Sequence, residues 1–258
     1  MSETSTAQFP TLVVGHGPIR VVVAHGWMGD HHLFDDMLPL IDEDRFSFAF
    51  FDCRGYGIRA DAQGGMTVED VARDVVTCAD AQGWHDFHVL GHSMGAMAAQ
   101  RLMVDHPDRL RSAILVAPVP ASGAKIDDAR RSLLREAMAS RPARRNLIDV
   151  NTGRIRDDGW LDRLLDMSIS STTPACLEAY MASWTGTDFA AEAMGNATPV
   201  VVVIGELDPG APVERIQASV MASYPNAQMV RIEGCGHYPM LEDPERLYQA
   251  VASFASAV

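Results

Sequence analysis

The sequence predicts an α/β fold, a mostly parallel sheet with helices on both faces. Three observations carry this. Short β-branched apolar runs recur along the chain. Helical patterns separate most of them, and strand–helix alternation is the mark of a parallel sheet covered on both sides. One long stretch, 121–195, breaks the alternation with helical segments and no strand run.

The expected strands are 19–26 (IRVVVAHG), 46–52 (FSFAFFD), 86–93 (DFHVLGHS), 112–119 (SAILVAPV), 198–206 (TPVVVVIGE) and 227–234 (AQMVRIEG). An N-terminal hairpin is expected to join the same sheet. Helices are expected at 32–41, 67–83, 94–107, about 212–222 and 243–256. The second begins with a Thr cap and an acidic first turn and stops at Gly83. Within 121–195 helical patterns cover 125–140, 144–151, 157–169 and 173–184. That stretch is too long for a loop in a compact domain. It reads as a helical cap inserted after the sixth strand, between core segments 1–120 and 196–258.

With 258 residues, 47% hydrophobic and 21% charged, the chain can bury a large core without staples. Its net charge of −13 excludes a nucleic-acid partner, which needs a basic face. Residues 121–195 are nearly neutral, with 10 basic and 11 acidic residues. Cys53, Cys78, Cys176 and Cys235 form no C-x-x-C pair and read as free buried thiols of a reducing compartment. The first ten residues lack a basic and an apolar leader segment, and no apolar run is long enough for a bilayer. The expected location is the cytoplasm, with no membrane partner. The sequence is compatible with a homo-oligomer.

Gly91-His92-Ser93-Met94-Gly95 fits Gly-x-Ser-x-Gly between a strand and a helix. That context places a serine on a sharp turn at a helix N-terminus, where orphan N–H groups favour developing negative charge. A serine hydroxyl needs a base. Of nine histidines, His237 follows the last strand and shares the sheet edge of Ser93. His85 and His88 belong at the opposite edge, His106 ends a helix, and His92 should point away from Ser93. The base needs an orienting carboxylate. Asp208 and Glu206 both follow the penultimate strand. Asp208 is preferred, because Pro209-Gly210 turns the chain beside it.

The oxyanion donors are expected to be the amides of Met94 and Trp27, the latter after His25-Gly26. His25 reads as a structural anchor of that loop. Asp30 reads as a helix cap, and Asp30, His31 and His32 lack the spacing of a metal site. Asp52 and Arg54 read as loop-fixing residues. The expected apolar pocket uses Trp27, Met28, Met94 and Tyr238 from the core, with Trp160, Met181 and Trp184 from the helical stretch. Most apolar residues of that stretch are expected to pack it onto the core. Its arginines are nearly balanced by acids, so an acidic substrate is left undecided.

These motifs together resemble the α/β-hydrolase superfamily. His25-Gly26-Trp27, Asp52-x-Arg54-Gly55-x-Gly57, Gly91-x-Ser93-x-Gly95, Gly205-x-x-Asp208 and Gly236-His237 stand in its order and spacing. One departure is GIRA at 57–60, where many relatives have Gly-x-Ser; it touches no triad role. The resemblance implies an eight-stranded, mostly parallel sheet, a variable cap at 121–195, no cofactor or metal, and an acyl-enzyme route. The expected function is therefore a serine hydrolase cleaving an ester or lactone of a small, largely apolar molecule. The same triad also serves carbon–carbon bond hydrolases, cofactor-free perhydrolases and acyl transferases, and the fold also serves ligand receptors. Ser93 argues against dehalogenases and epoxide hydrolases, which place Asp there.

Overall fold

The computed structural model describes residues 9–258. The N-terminal stretch read for a leader lies mostly outside those residues. The described strands are β1 (Leu12–Gly15), β2 (Ile19–Ala24), β3 (Phe46–Phe51), β4 (Phe87–His92), β5 (Leu110–Val116), β6 (Val200–Gly205) and β7 (Ala227–Ile232). They form one sheet in the order β1-β3-β2-β4-β5-β6-β7. All pairings are parallel except β1 with β3.

Three expectations change here. The described residues supply seven strands where the resemblance implies eight. The helical stretch therefore follows the fifth described strand, not the sixth. Nor do β1 and β2 pair as a hairpin, because β1 lies against β3, with Leu12 opposite Phe50. Within these bounds the expected strands are recovered. Every residue of β3, β4 and β6 is buried. That explains why they read as largely apolar runs, since helices cover both faces.

The main helices follow their local signals. α1 (Val68–Ala81) starts at Thr67, whose hydroxyl accepts from the Asp70 amide while Asp70 accepts back from Thr67. α2 (Met94–Asp105) stops before Pro107. Between β5 and β6 lie α3 (Asp128–Ala139), α4 (Arg141–Asn151), α5 (Asp158–Ser171), α6 (Pro174–Gly186) and the short α7 (Ala190–Ala193), without a strand. Then come α8 (Val213–Ile216), α9 (Pro239–Glu242) and α10 (Pro244–Ala255). α8 continues into one π turn over Gln217–Met221. The helix expected at 32–41 is instead two 3₁₀ turns, His31–Phe34 and Leu38–Leu40. Pro39 inside the second removes a donor that a continuous α-helix would use.

The two faces of the sheet carry separate apolar layers. One packs Val22, Ala49 and Leu115 against α1 and α2. The other packs Val23, Phe48 and Ile114 against α10 and the first 3₁₀ turn. All four cysteines are free and buried. No helix among the described residues is long and apolar enough to cross a membrane.

One buried histidine gives the fold a pH signature. His88 on β4 is 2% exposed, and its Nδ1 lies 2.8 Å from the Ser112 hydroxyl. Burial lowers its pKa from 6.5 to about 4. Unfolded, the ring takes its proton near 6.5; folded, it stays neutral down to about 4. Stability from neutral His88 is therefore complete above pH 6.5 and is lost between 6.5 and 4, amounting to roughly 3 kcal/mol. Urea unfolding at pH 7 and pH 4.5 should show a smaller acid loss in His88→Gln than in the parent. Equal losses would contradict this reading.

Candidate active site

The parallel strands deliver their loops to one edge, and the candidate residues meet there. Ser93 directly follows β4, at the N-terminus of α2, with φ 54° and ψ −109°. That left-handed backbone costs a non-glycine residue on the order of 1–3 kcal/mol, and it persists because neighbours over-determine it. The Ser93 amide donates to Val116 O at 2.8 Å. Gly91 and Gly95 explain themselves by space. A Cβ on Gly95 would sit 2.4 Å from the Ala24 carbonyl oxygen, and one on Gly91 would sit 2.3 Å from the Gly95 carbonyl oxygen. Gly95→Ala should therefore cost about 1–3 kcal/mol through overpacking, read as a lower urea midpoint. An unchanged midpoint would show that the β2–α2 contact yields freely.

His237 and Asp208 complete the arrangement. His237 Nε2 lies 3.1 Å from Ser93 Oγ, and His237 Nδ1 lies 2.6 Å from Asp208 Oδ2. The Asp208 side chain is fully buried, and its Oδ1 accepts from the Gly210 amide at 2.7 Å. The Pro209-Gly210 turn thus folds back onto the Asp208 side chain. Glu206, the weaker candidate, points elsewhere. It pairs with Arg231 and accepts from the Gly234 amide at 3.1 Å.

The loop after β2 abuts the serine. A Cβ on Gly26 would reach to 3.3 Å from Ser93 Cβ. Among the described residues neither the Trp27 nor the Met94 amide donates to a protein acceptor. His25 anchors this loop. Its Nε2 accepts from the Cys53 amide at 2.9 Å, so its Nδ1 carries the proton and donates to Gly26 O at 2.8 Å. Burial lowers its pKa and keeps it neutral. Tyr56 adds a second strut, its hydroxyl donating to Trp27 O at 2.8 Å.

The remaining loop residues are structural. Asp30 accepts from the His32 amide, capping the first 3₁₀ turn. Asp52 accepts from the His31 amide at 3.0 Å, and His31 Nδ1 lies 2.8 Å from the same oxygen. Asp30, His31 and His32 do offer side-chain atoms within 4.8 Å of one another. However, His31 Nδ1 is engaged by Asp52 and His32 Nδ1 by Asp35. Arg54 reaches away from the site to Asp74 and Asp70 on α1.

A cavity of about 300 Å³ opens over Ser93 and His237. Trp27, Met28, Trp184 and Tyr238 line it. Trp27 and Trp184 meet edge to face at 5.6 Å, and Trp27 Nε1 donates to Leu177 O on α6. Met94, Trp160 and Met181 are not among its walls. Met94 and Met181 are buried in the apolar layer that holds α1 and α2, while Trp160 packs against the other layer under Arg156. Helical spacing showed that these side chains would be covered, but not by what.

Sequence reasoning assigned no site role to His92, Asn151, Lys125, Arg130 or Arg215. His92 Nε2 donates to His237 O at 2.8 Å, holding the His237 loop from behind. Burial pushes its pKa well below 6.5. Its Nδ1 is one of two buried side-chain polar atoms without a partner among the described residues; the other is Trp184 Nε1, and both residues line the cavity. The Asn151 carbonyl accepts from the His237 amide at 2.8 Å, so the end of α4 also fixes that loop. Lys125, Arg130 and Arg215 stand in the cavity wall. The arginine content of the helical stretch hinted at this, but the nearby acids masked it.

The alpha/beta hydrolase family profile matches residues 21–250. This chain belongs to the α/β hydrolase family. Among curated relatives, this α/β hydrolase is 26% identical over 260 residues to a pimeloyl-[acyl-carrier protein] methyl ester esterase of Yersinia enterocolitica. The match covers 94% of this chain and 95% of the relative. Among solved structures, it is similar to a hydrolase from Oleispira antarctica, with TM-score 0.83, 21% identity and coverage of 95% and 93% of the two chains. It is also similar to a thermophilic esterase from Thermogutta terrifontis, with TM-score 0.79, 22% identity and coverage of 95% and 92%.

Proposed function

We propose that this α/β hydrolase is a serine esterase of small molecules, cleaving a carboxylic ester or lactone through an acyl-enzyme. The observation that carries the reading is the unbroken line Ser93–His237–Asp208, with contacts of 3.1 and 2.6 Å. The curated relative's named bond, a methyl ester, supports the bond class.

In this mechanism His237 Nε2 takes the Ser93 proton as Oγ attacks the carbonyl carbon. Asp208 holds Nδ1–H toward itself and stabilises the imidazolium that forms. The amides of Trp27 and Met94 receive the tetrahedral oxyanion, with added stabilisation from the N-terminus of α2. His237 then gives its proton to the leaving alcohol. In the second half it activates water, which attacks the acyl carbon and frees Ser93. Residues 121–195 act as a cap over a core of 1–120 and 196–258, and Trp27, Met28, Trp184 and Tyr238 bound an apolar acyl site. A fluorophosphonate probe tests the reading. It should label Ser93 stoichiometrically in the parent and leave His237→Ala nearly unlabelled. A folded parent that resists the probe would point instead to a ligand receptor on the same fold.

A further inference from the structure

The cavity over Ser93 carries a charge opposite to that of the molecule around it. The chain has net charge −13, yet the cavity wall holds Lys125, Arg130 and Arg215 against one acid, Asp127. Lys125 is loosely matched by Asp188 at 3.8 Å, with both side chains exposed. Neither Arg130 nor Arg215 forms an ion pair with a carboxylate among the described residues. This is uncommon here, because most of the other arginines do. Arg54, Arg59, Arg101 and Arg145, for example, each meet at least one carboxylate within 3.0 Å.

Arg130 is also held in place. It lies in the first turn of α3 and donates from Nη2 to Asn151 Oδ1 at 2.8 Å. The backbone of the same Asn151 receives the His237 amide. One residue thus links the guanidinium to the candidate base. Asp127 forms no ion pair with its side chain among the described residues; its Oδ1 caps α3 by accepting the Arg130 amide at 2.7 Å. Burial lowers the Arg130 pKa, outweighing the opposing pull of nearby Asp208 and Asp127. Arg215, on α8, makes only a long contact with Gly210 O at 3.4 Å, beside the Asp208 turn. Two guanidinium groups with free donors then flank a cavity of which Leu134, Leu147 and Val119 supply apolar wall.

We propose that Arg130 and Arg215 make this site selective for esters that bear an anionic oxygen group, carboxylate or phosphate, at the end remote from the scissile bond. The proposal rests on the serine-esterase reading of the same cavity. Guanidinium forks bind such groups by paired charge-assisted hydrogen bonds. The apolar wall between the cations and Ser93 would take the connecting methylenes. Recognition is then of a two-ended molecule, neutral where it reacts and charged where it is gripped.

The test compares kcat/KM for three methyl esters of matched length: monomethyl adipate, its phosphate-tailed counterpart, and neutral methyl heptanoate. The proposal predicts at least one anionic ester favoured over the neutral one by about 10- to 100-fold, as expected for one or two hydrogen bonds to a charged group. The better of the two assigns the group. In the Arg130→Gln/Arg215→Gln enzyme the preference should collapse at least tenfold, and added salt should erode it in the parent. A neutral ester hydrolysed as well as both anionic ones would overturn this inference and leave the esterase reading standing. So would a preference unchanged in the double variant. If no ester is turned over and Ser93 resists a fluorophosphonate, the esterase reading falls, and this inference with it.

Discussion

Ser93→Ala should lower kcat by about 10⁴- to 10⁶-fold, with the folded state intact. The hydroxyl is the only atom lost, and it sits 3.1 Å from His237 Nε2. Residual turnover would come from the Trp27 and Met94 amides and from substrate binding. Alanine tolerates the φ of 54° no better than serine does, so the backbone strain stays nearly the same. Comparing urea midpoints and ester hydrolysis of parent and variant separates the two effects. A variant with near-parent activity would remove Ser93 from the chemistry. A variant that loses its fold would leave the loss of activity to structure, and Ser93→Gly, which relaxes the backbone, then decides the question.

Asp208→Asn should lower kcat by about 10⁴-fold, close to the serine variant, while keeping the site's shape. Asp208 Oδ2 accepts from His237 Nδ1 at 2.6 Å, which fixes Nε2 as the lone pair facing Ser93. An amide can turn its NH₂ toward Nδ1, and the ring then presents Nε2–H to the serine, the wrong tautomer for a base. The carboxylate's stabilisation of the imidazolium is lost as well. Asp208 Oδ1 also accepts from the Gly210 amide, so the carboxamide oxygen can keep that turn. Activity should recover in part as pH rises, where hydroxide competes as the base. A loss of less than tenfold would mean that His237 is oriented by its backbone. His92 at 2.8 Å from His237 O and Asn151 at 2.8 Å from His237 N are the groups that could do it.

Local patterns carried most of the architecture, and the reason is physical. Strands buried on both faces are mostly apolar, so β6 was legible as a run and β3 and β4 nearly so, interrupted by Ser47, His88 and His92. The α1 start was legible because Thr67 and Asp70 satisfy each other's backbone. The pairing of β1 with β3 was not, since a short polar-flanked strand does not name its neighbour. At the site, Gly-x-Ser-x-Gly was readable because the close approaches at positions 91 and 95 admit no side chain. Asp208 was preferred to Glu206 on the Pro-Gly turn, and Asp208 stands 2.6 Å from His237 Nδ1. What stayed hidden depends on contacts distant in sequence. Whether Met181 or Trp184 meets the cavity turns on how α6 docks, and both fit the same helical spacing. The unmatched state of Arg130 was invisible because Asp127 and Asp128 stand beside it in sequence, yet neither forms an ion pair with it among the described residues, and Asp127 caps α3.

The central claim is that Ser93 carries the acyl group, and one rapid-mixing experiment tests it most directly. The parent enzyme is mixed with p-nitrophenyl acetate, the p-nitrophenolate burst is followed, and the protein is acid-quenched for peptide mass mapping. The account predicts a burst approaching one equivalent per chain and a single acetyl group on the peptide holding Ser93, absent from Ser93→Ala. Parent-level turnover by Ser93→Ala, or an acetyl group on another residue of the parent, would contradict it.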